Sequence, residues 1–281
     1  MTSDGHGPRV SVIMPVFNAG AYLTEALASV AAQTSRDYEV VIVDDGSTEE
    51  RTLAALDRAR STPRTTVIRT ENRGPAAARN LAIERTRGAY ILPLDADDYL
   101  APAFLAKTAP LLDADPALGV VYTWVGLVGG HHGVWRTGGF SVPDLLSRCT
   151  IHVTSLYRRK IWEDVGGYDP RFVESCEDWD FWLGAAKRGW TGRCVPEVLV
   201  YYRRSPTSRE LGSRAPGVST RLMRSLVAKH RDLYVANLED AMAGMYERLA
   251  AAGLTLERIY DHPAMRVYVR LRNLLGRRPA A

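Results

Sequence analysis

The 281-residue chain is 46% apolar and 24% charged, a globular balance that excludes disordered and fibrous classes. Its longest weakly polar stretch, Gly119 to Gly130, has about half the length of a membrane-spanning helix, so no transmembrane segment is expected. Cys149, Cys176 and Cys194 lie far apart, which argues against a disulfide framework or a cysteine-built zinc site, and the opening MTSDGHGPRV has no apolar signal-peptide core, so the cytoplasm is the expected location. The net charge of +4 is uneven. Residues 201–281 hold 15 Lys/Arg against 7 Asp/Glu, so this part carries +8 and the first 200 residues carry −4. Such a basic tail suits a solvated helical face, a phosphate site or an anionic membrane surface at the inner face of the membrane. The basic residues do not cluster with a nucleic-acid-binding motif, and no nucleic-acid partner is expected.

The first hundred residues alternate strand and helix. Val10–Val16 reads as a strand, Ala21–Gln33 as a helix on its apolar spacing, and Glu39–Val43 as a buried strand. Glu49–Arg60 reads as a helix and Thr66–Arg69 as a strand. A helix opens at Pro75 and runs to a Gly88 stop, and Ala89–Leu94 is a further strand. This order implies a parallel sheet with helices on its faces and a ligand crevice at the carboxyl ends of the strands. Beyond Asp98 the pattern gives a helix over Ala101–Leu112 with Pro102 in its first turn. A hairpin follows, with strands Val120–Val128 and Val134–Phe140, and then a short helix over Arg159–Val165. Cys176–Arg188 is an amphipathic helix and Thr191–Tyr202 a strand. The polar Pro206–Pro216 stretch ends the main domain, and residues 218–281 read as helical. The expected organisation is a domain over 1–215, with halves at about 8–100 and 101–215, and a basic helical extension over 216–281.

Three acidic clusters fall where chemistry is expected. Asp44-Asp45-Gly46-Ser47 closes the second strand, and its residue types equally suit a turn. Asp95-Ala96-Asp97-Asp98 closes the fourth. Carboxylates that close together repel unless water or a cation screens them, and their oxygens suit Mg²⁺ or Mn²⁺, which would hold a substrate diphosphate. Glu177-Asp178-Trp179-Asp180 opens a helix. There the helix dipole favours acids, and a carboxylate general base is the functional reading. Adjacent His131 and His132 read as a solvated turn, and Trp182 as core.

These stretches resemble the family 2 (GT2) glycosyltransferases. The similarity is carried by VSVIMPVFNAGAYLTEALASVAAQT, EVVIVDDGSTEE, ENRGPAAARNLAIERTRGAYILPLDADDYL and VGGYDPRF…CEDWDFWLGAAKRGW, over roughly residues 8–205. The resemblance implies an α/β GT-A fold, a Rossmann-like, mostly parallel sheet with flanking helices, here with a C-terminal helical extension. It implies that Asp45 reads the nucleotide base in a pocket lined by Pro15 and Val16, and that Asn72, Gly74 and Arg79 complete the nucleotide site, Arg79 by offering its guanidinium to phosphate. Asp95 and Asp97 match the DxD pair, with Ala96 between them in the nucleotide-sugar site, Asp97 on the metal and Asp95 on ribose or metal. Asp178 matches the catalytic base with Glu177 beside it, Trp179 is the candidate for stacking on the acceptor, and Asp180 matches no catalytic position.

The implied reaction is an inverting, Mn²⁺- or Mg²⁺-dependent transfer of one sugar from a nucleoside-diphosphate sugar, most commonly UDP-linked. The acceptor is a hydroxyl of a glycan, a lipid-linked glycan or a natural product, as in cell-envelope or polysaccharide biosynthesis. Two features depart from the family pattern. Ser205 follows Tyr202-Arg203-Arg204 where similar enzymes often have a metal-binding His, and the Gln-x-x-Arg-Trp signature of processive polymerases is missing near Lys187-Arg188-Gly189-Trp190. A nucleotidyltransferase and a non-catalytic binding protein on the same fold are the competing readings. The first usually has a basic Gly-rich loop where this chain has Pro15-Val16-Phe17-Asn18, and the second does not explain an intact Asp45, Asp95, Asp97 and Asp178 set.

Overall fold

Residues 7–130, 132–204, 215 and 217–261 are described by the computed structural model. Strand β1 (Val10–Val16) divides its side chains by parity: Val12 and Met14 enter one core and Ile13 the other, because successive strand residues leave opposite faces. Burial on both sides is the condition of a central parallel strand. β1 pairs in parallel with β2 (Tyr38–Asp45) and with β4 (Tyr90–Pro93), and β2 pairs in parallel with β3 (Thr65–Thr70). The sheet continues through β8 (Leu156–Arg158), β6 (Leu118–Gly129) and β9 (Thr191–Arg204) to the two-residue β5 (Tyr99–Leu100), and β7 (Gly133–Trp135) hangs on β6. β8 runs antiparallel to both β4 and β6, and β9 runs parallel to β6. The carboxyl ends of β1, β2, β4, β6 and β9 therefore share one edge of the sheet.

Helices α1 (Gly20–Ala31), α2 (Glu50–Arg60) and α4 (Phe104–Ala114) cover the first core. Helices α3 (Pro75–Glu84), α5 (Val142–Ser147), α6 (Arg159–Val165) and α7 (Glu177–Lys187) cover the second. The expected α/β layering is present, and the differences are local. α3 stops at Glu84 rather than Gly88 because the Arg85 and Thr86 amides turn back to the Ala82 and Ile83 carbonyls. α4 starts two residues after Pro102, since the Ala101 amide is still bonded to Leu199 O on β9. The second hairpin strand is only three residues long. Beyond it the Gly138 amide bonds Thr150 O instead, and Phe140 turns into the core. The short elements β5, β8 and α5 have too little periodicity to stand out in the sequence.

Helices α8 (Val218–Lys229), α9 (Arg231–Ala236) and α10 (Leu238–Asp261) follow, as the helical reading expected, while residues 205–214 and 262–281 lie outside the described ones. Leu222, Leu226, Tyr234 and Ala241 are buried in the second core. Part of the basic excess of this region is spent on internal ion pairs: Arg221 with Glu174, and Lys229 with both Asp169 and Asp180 at 2.7 Å. Asp169 sits well below the usual carboxylate range, held there chiefly by its hydrogen bond from Arg171 and further by Lys229. Among the described residues no helix is long and apolar enough to cross a membrane.

Candidate active site

The site grows from the loops at the shared strand edge. At the end of β1, Pro15 and Val16 lie in register with Val43 and Asp44 of β2. The next loop is zipped to the β2 loop: Asn18 takes a left-handed φ of 49°, its Oδ1 accepts the Thr48 and Glu49 amides, and its own amide donates to Ser47 Oγ. At the end of β2 the two carboxylates divide their tasks. Asp44 accepts the Ser47 amide at 2.8 Å and pairs with Arg69 at 3.1 Å, so it is the turn residue. Asp45 spends its two oxygens on the Arg73 and Gly74 amides, each at 2.8 Å, and so fixes the entry to α3. Gly46 needs its glycine: φ is 79°, and a Cβ there would stand 2.9 Å from the Asn72 amide nitrogen. Asp45, Asn72 and Gly74 thus form one patch beside Pro15 and Val16.

The second patch gathers around Arg79, on the buried face of α3. Its side chain is 1% exposed. Nη2 donates to Asp95 Oδ1 at 2.6 Å and Nη1 donates to Glu177 Oε1 at 2.8 Å. Burial works against this cation, but Asp95 and Glu177 outweigh it and hold its pKa well above the ordinary value. The guanidinium that the resemblance offers to a phosphate is here spent on two carboxylates. It ties the end of β4 to the first turn of α7, two segments separated by some eighty residues in sequence. Arg79, Asp95 and Glu177 are therefore in direct contact, and Asp178 follows Glu177 on the same helical turn.

Asp178 is half-buried, and its Oδ1 accepts the Trp179 amide at 2.8 Å. Loss of water and then the charge of Glu177 push its carboxyl up to about 6, against a smaller lowering by Arg79. That places it where a carboxylate both ionises near neutrality and is basic enough to take a proton. The neighbouring Cys149 thiol lies 4.0 Å from Asp178 Oδ2 and is pushed well above its ordinary value, first by burial and then by the Asp178 charge. Trp179 is pinned rather than free, since its indole N–H donates to Leu145 O at 2.6 Å. Trp182 is core, as expected. Asp180 departs from its expected bystander role. It is 1% exposed, with Lys229 Nζ at 2.7 Å and His230 Nε2 at 2.8 Å, so it anchors the end of α8.

The acidic turn after β4 separates its members by burial. Ala96 and Asp98 are buried, whereas Asp95 and Asp97 are partly exposed at the crevice edge. Asp98 Oδ1 accepts the Arg203 amide at 2.9 Å, and Arg203 Nε donates to Asp97 O at 3.0 Å. Burial, followed by the charges of Asp97 and Asp95, pushes the Asp98 carboxyl well above the usual range. His152 Nε2 stands 3.8 Å from Asp98 Oδ2, its ring packed on Tyr202. Neither Arg203 nor His152 was singled out from sequence. The Tyr202-Arg203-Arg204 run was visible, but its partners across the sheet were not.

Two acidic loops, a buried arginine between them and a helix that starts on a carboxylate pair make up the site. The profile of glycosyl transferase family 2 covers residues 11–166, and that of glycosyl transferase family group 2 covers residues 90–276. The chain belongs to glycosyl transferase family 2. It is 31% identical over 243 residues to a poly(ribitol-phosphate) beta-N-acetylglucosaminyltransferase, TarS of Staphylococcus aureus, covering 83% of this chain and 42% of that protein. It is 28% identical over 187 residues to a chondroitin synthase of Escherichia coli, covering 65% of this chain and 27% of the synthase. The chain thus spans from about a quarter to under half the length of these curated relatives. Among solved structures, residues 1–349 of S. aureus TarS in complex with UDP-GlcNAc superimpose with a TM-score of 0.67 at 24% identity, covering 78% of this chain and 66% of that one. A mannosyltransferase of Pyrobaculum calidifontis, in complex with GDP-Man and Mn²⁺, gives 0.60 at 21% identity over 98% and 89%. The fold is GT-A, with a C-terminal helical segment.

Proposed function

We propose that this family 2 chain is an inverting glycosyltransferase that moves one sugar from a nucleoside-diphosphate sugar, UDP-linked in the first instance, to an acceptor hydroxyl. The observation that carries the reading is the position of Asp178: a carboxylate raised to about 6, one residue from Glu177, which Arg79 links to the DxD residue Asp95. The donor patch is Pro15, Val16, Asp45, Asn72 and Gly74, with Asp95 and Ala96 at its diphosphate side. A UDP donor is favoured by the UDP-GlcNAc bound to TarS. GDP-sugars follow from the other structural neighbour.

The residues present fit a hard divalent cation such as Mn²⁺ or Mg²⁺. Asp95 and Asp97 are oxygen donors at the crevice edge, and among the described residues no three acidic, His or Cys side chains converge as a ready cage. Such a donor set suits an ion held through one or two carboxylates and completed by diphosphate oxygens. When bound, the ion would offset the charge on the departing diphosphate. Asp97 would hold it, and Asp95, fixed by Arg79, would hold ribose or metal. Asp178 accepts the proton of the acceptor hydroxyl as that oxygen attacks the anomeric carbon from the face opposite the diphosphate. One displacement inverts the anomeric configuration and needs no covalent intermediate. Glu177, held by Arg79, positions donor or acceptor.

The test is a panel of UDP, GDP and dTDP in thermal shift with and without Mn²⁺, beside donor hydrolysis by wild type and Asp97→Asn. A nucleotide shift that needs Mn²⁺, and hydrolysis lowered by orders of magnitude in the variant, are expected. Full activity of Asp97→Asn in EDTA would contradict the metal assignment.

A further inference from the structure

Arg79 fixes one carboxylate of the acidic turn after β4, and a second arginine reaches the same turn from β9. β5 pairs antiparallel with β9, Tyr99 opposite Tyr201 and Leu100 opposite Val200. Two residues further along, the same register sets Arg203 against Asp97. Arg203 meets the turn there twice. Its amide donates to Asp98 Oδ1 at 2.9 Å, and its Nε donates to the Asp97 main-chain carbonyl at 3.0 Å. Within the turn, the Asp98 amide closes back on Asp95 O at 3.1 Å. The end of β9 is itself held, because the Gly130 amide donates to Arg204 O at 2.9 Å. The far end of the Arg203 side chain lies on α1. Its Nη2 is paired with Glu25, and its guanidinium carbon sits 4.4 Å from the centre of the Tyr22 ring. Tyr22 and Glu25 are three residues apart and so share a face of α1. One planar cation thus joins α1, the end of β9 and the acidic turn, a task that suits a guanidinium because its donors are set in a fixed fork.

We propose that Arg203 is a positioning residue for the metal carboxylate: it holds the Asp97 backbone so that the side chain can meet a divalent cation, and Glu25 offsets the charge that Arg203 would otherwise set against that cation. The Nε bond goes to the Asp97 carbonyl, so it orients this acid without taking up a carboxylate oxygen. The inference rests on the metal-dependent reading of the site. It differs in sign from a purely electrostatic role. A positive charge close to Asp97 opposes a divalent cation, so a guanidinium that acted by charge alone would weaken the metal site, and its removal would strengthen it. A brace does the reverse.

Electron paramagnetic resonance of free Mn²⁺, titrated into protein with UDP, reads metal affinity without turnover. The samples are wild type, Arg203→Met, Arg203→Lys and Glu25→Gln, each melted without metal as a check of folding. Arg203→Met is expected to bind Mn²⁺ about tenfold more weakly, the scale of one charge-assisted hydrogen bond. Arg203→Lys should bind it more weakly than wild type as well, because an ammonium keeps the charge but not the fork. Glu25→Gln keeps the bond to Asp97 and bares the Arg203 charge, so it should weaken Mn²⁺ binding several-fold at low salt and less at high salt. It alters only a half-exposed carboxylate, so it tests the proposal even where Arg203→Met does not fold. Mn²⁺ binding as tight as wild type or tighter in Arg203→Met, or in Glu25→Gln at low salt, would overturn the proposal, whatever the melting temperatures. A wild type that binds no Mn²⁺ with UDP present would overturn the metal reading itself and this inference with it.

Discussion

The Asp178 carboxyl is set first by burial and then by two neighbours that act in opposite directions. Desolvation and the Glu177 charge raise its carboxyl to about 6, and Arg79 limits the rise. The proposed base works only when ionised, so kcat/KM should fall as pH drops through about 6, by about tenfold per unit for one essential proton. Glu177→Gln removes a negative neighbour, so the acid limb should move to lower pH. A limb that stays near pH 6 in that variant, or a wild-type profile flat down to pH 5, would show that Asp178 is not the titrating base. Arg79 teaches the complementary point. The family resemblance implied a phosphate ligand, and the structure holds this side chain, at 1% exposure, between two carboxylates as a strut. Sequence showed that a cation sits on α3 but not which anions the fold brings to it, because Asp95 and Glu177 meet only through tertiary packing.

The elements were legible in proportion to their periodicity. β1 and β2 stood out because their apolar runs are bounded by turn residues, α6 because Gly166-Gly167 stops it, and α7 because its aromatic positions keep helical spacing. β5 and β8 are two and three residues long, and only their partners define them. The α7–α8 junction is the clearest case of information absent from local sequence. Asp180, read as a spare acid in a first turn, carries Lys229 and His230 from the C-terminal helices. Breaking a buried ion pair from one side leaves its partner uncompensated, at a cost of roughly 3–5 kcal/mol. Asp180→Asn should therefore lower the urea midpoint and the Tm clearly, while folded protein at low temperature keeps its nucleotide affinity. A melting curve unchanged from wild type would show that α8 is held by its apolar contacts alone.

Across the whole molecule, the chain puts the proposed nucleotide and metal residues on one group of strand ends and the proposed base on a helix later in the chain, and Arg79 joins Asp95 of the first group to Glu177 beside the base. The positions of the three acidic clusters, at two strand ends and a helix start, were expected from sequence. The strut and the His152–Asp98–Arg203 cluster were not, because each joins segments far apart in the chain. If donor binding and proton transfer are separate, they must come apart under mutation. The measurement that bears most directly on this is Asp178→Asn, followed by calorimetry with UDP and Mn²⁺ and by turnover with acceptor on the same preparation. A general base contributes roughly 10²–10⁴ in rate. The account predicts nucleotide affinity within a few fold of wild type and kcat lower by about that factor. Wild-type turnover in Asp178→Asn would contradict it.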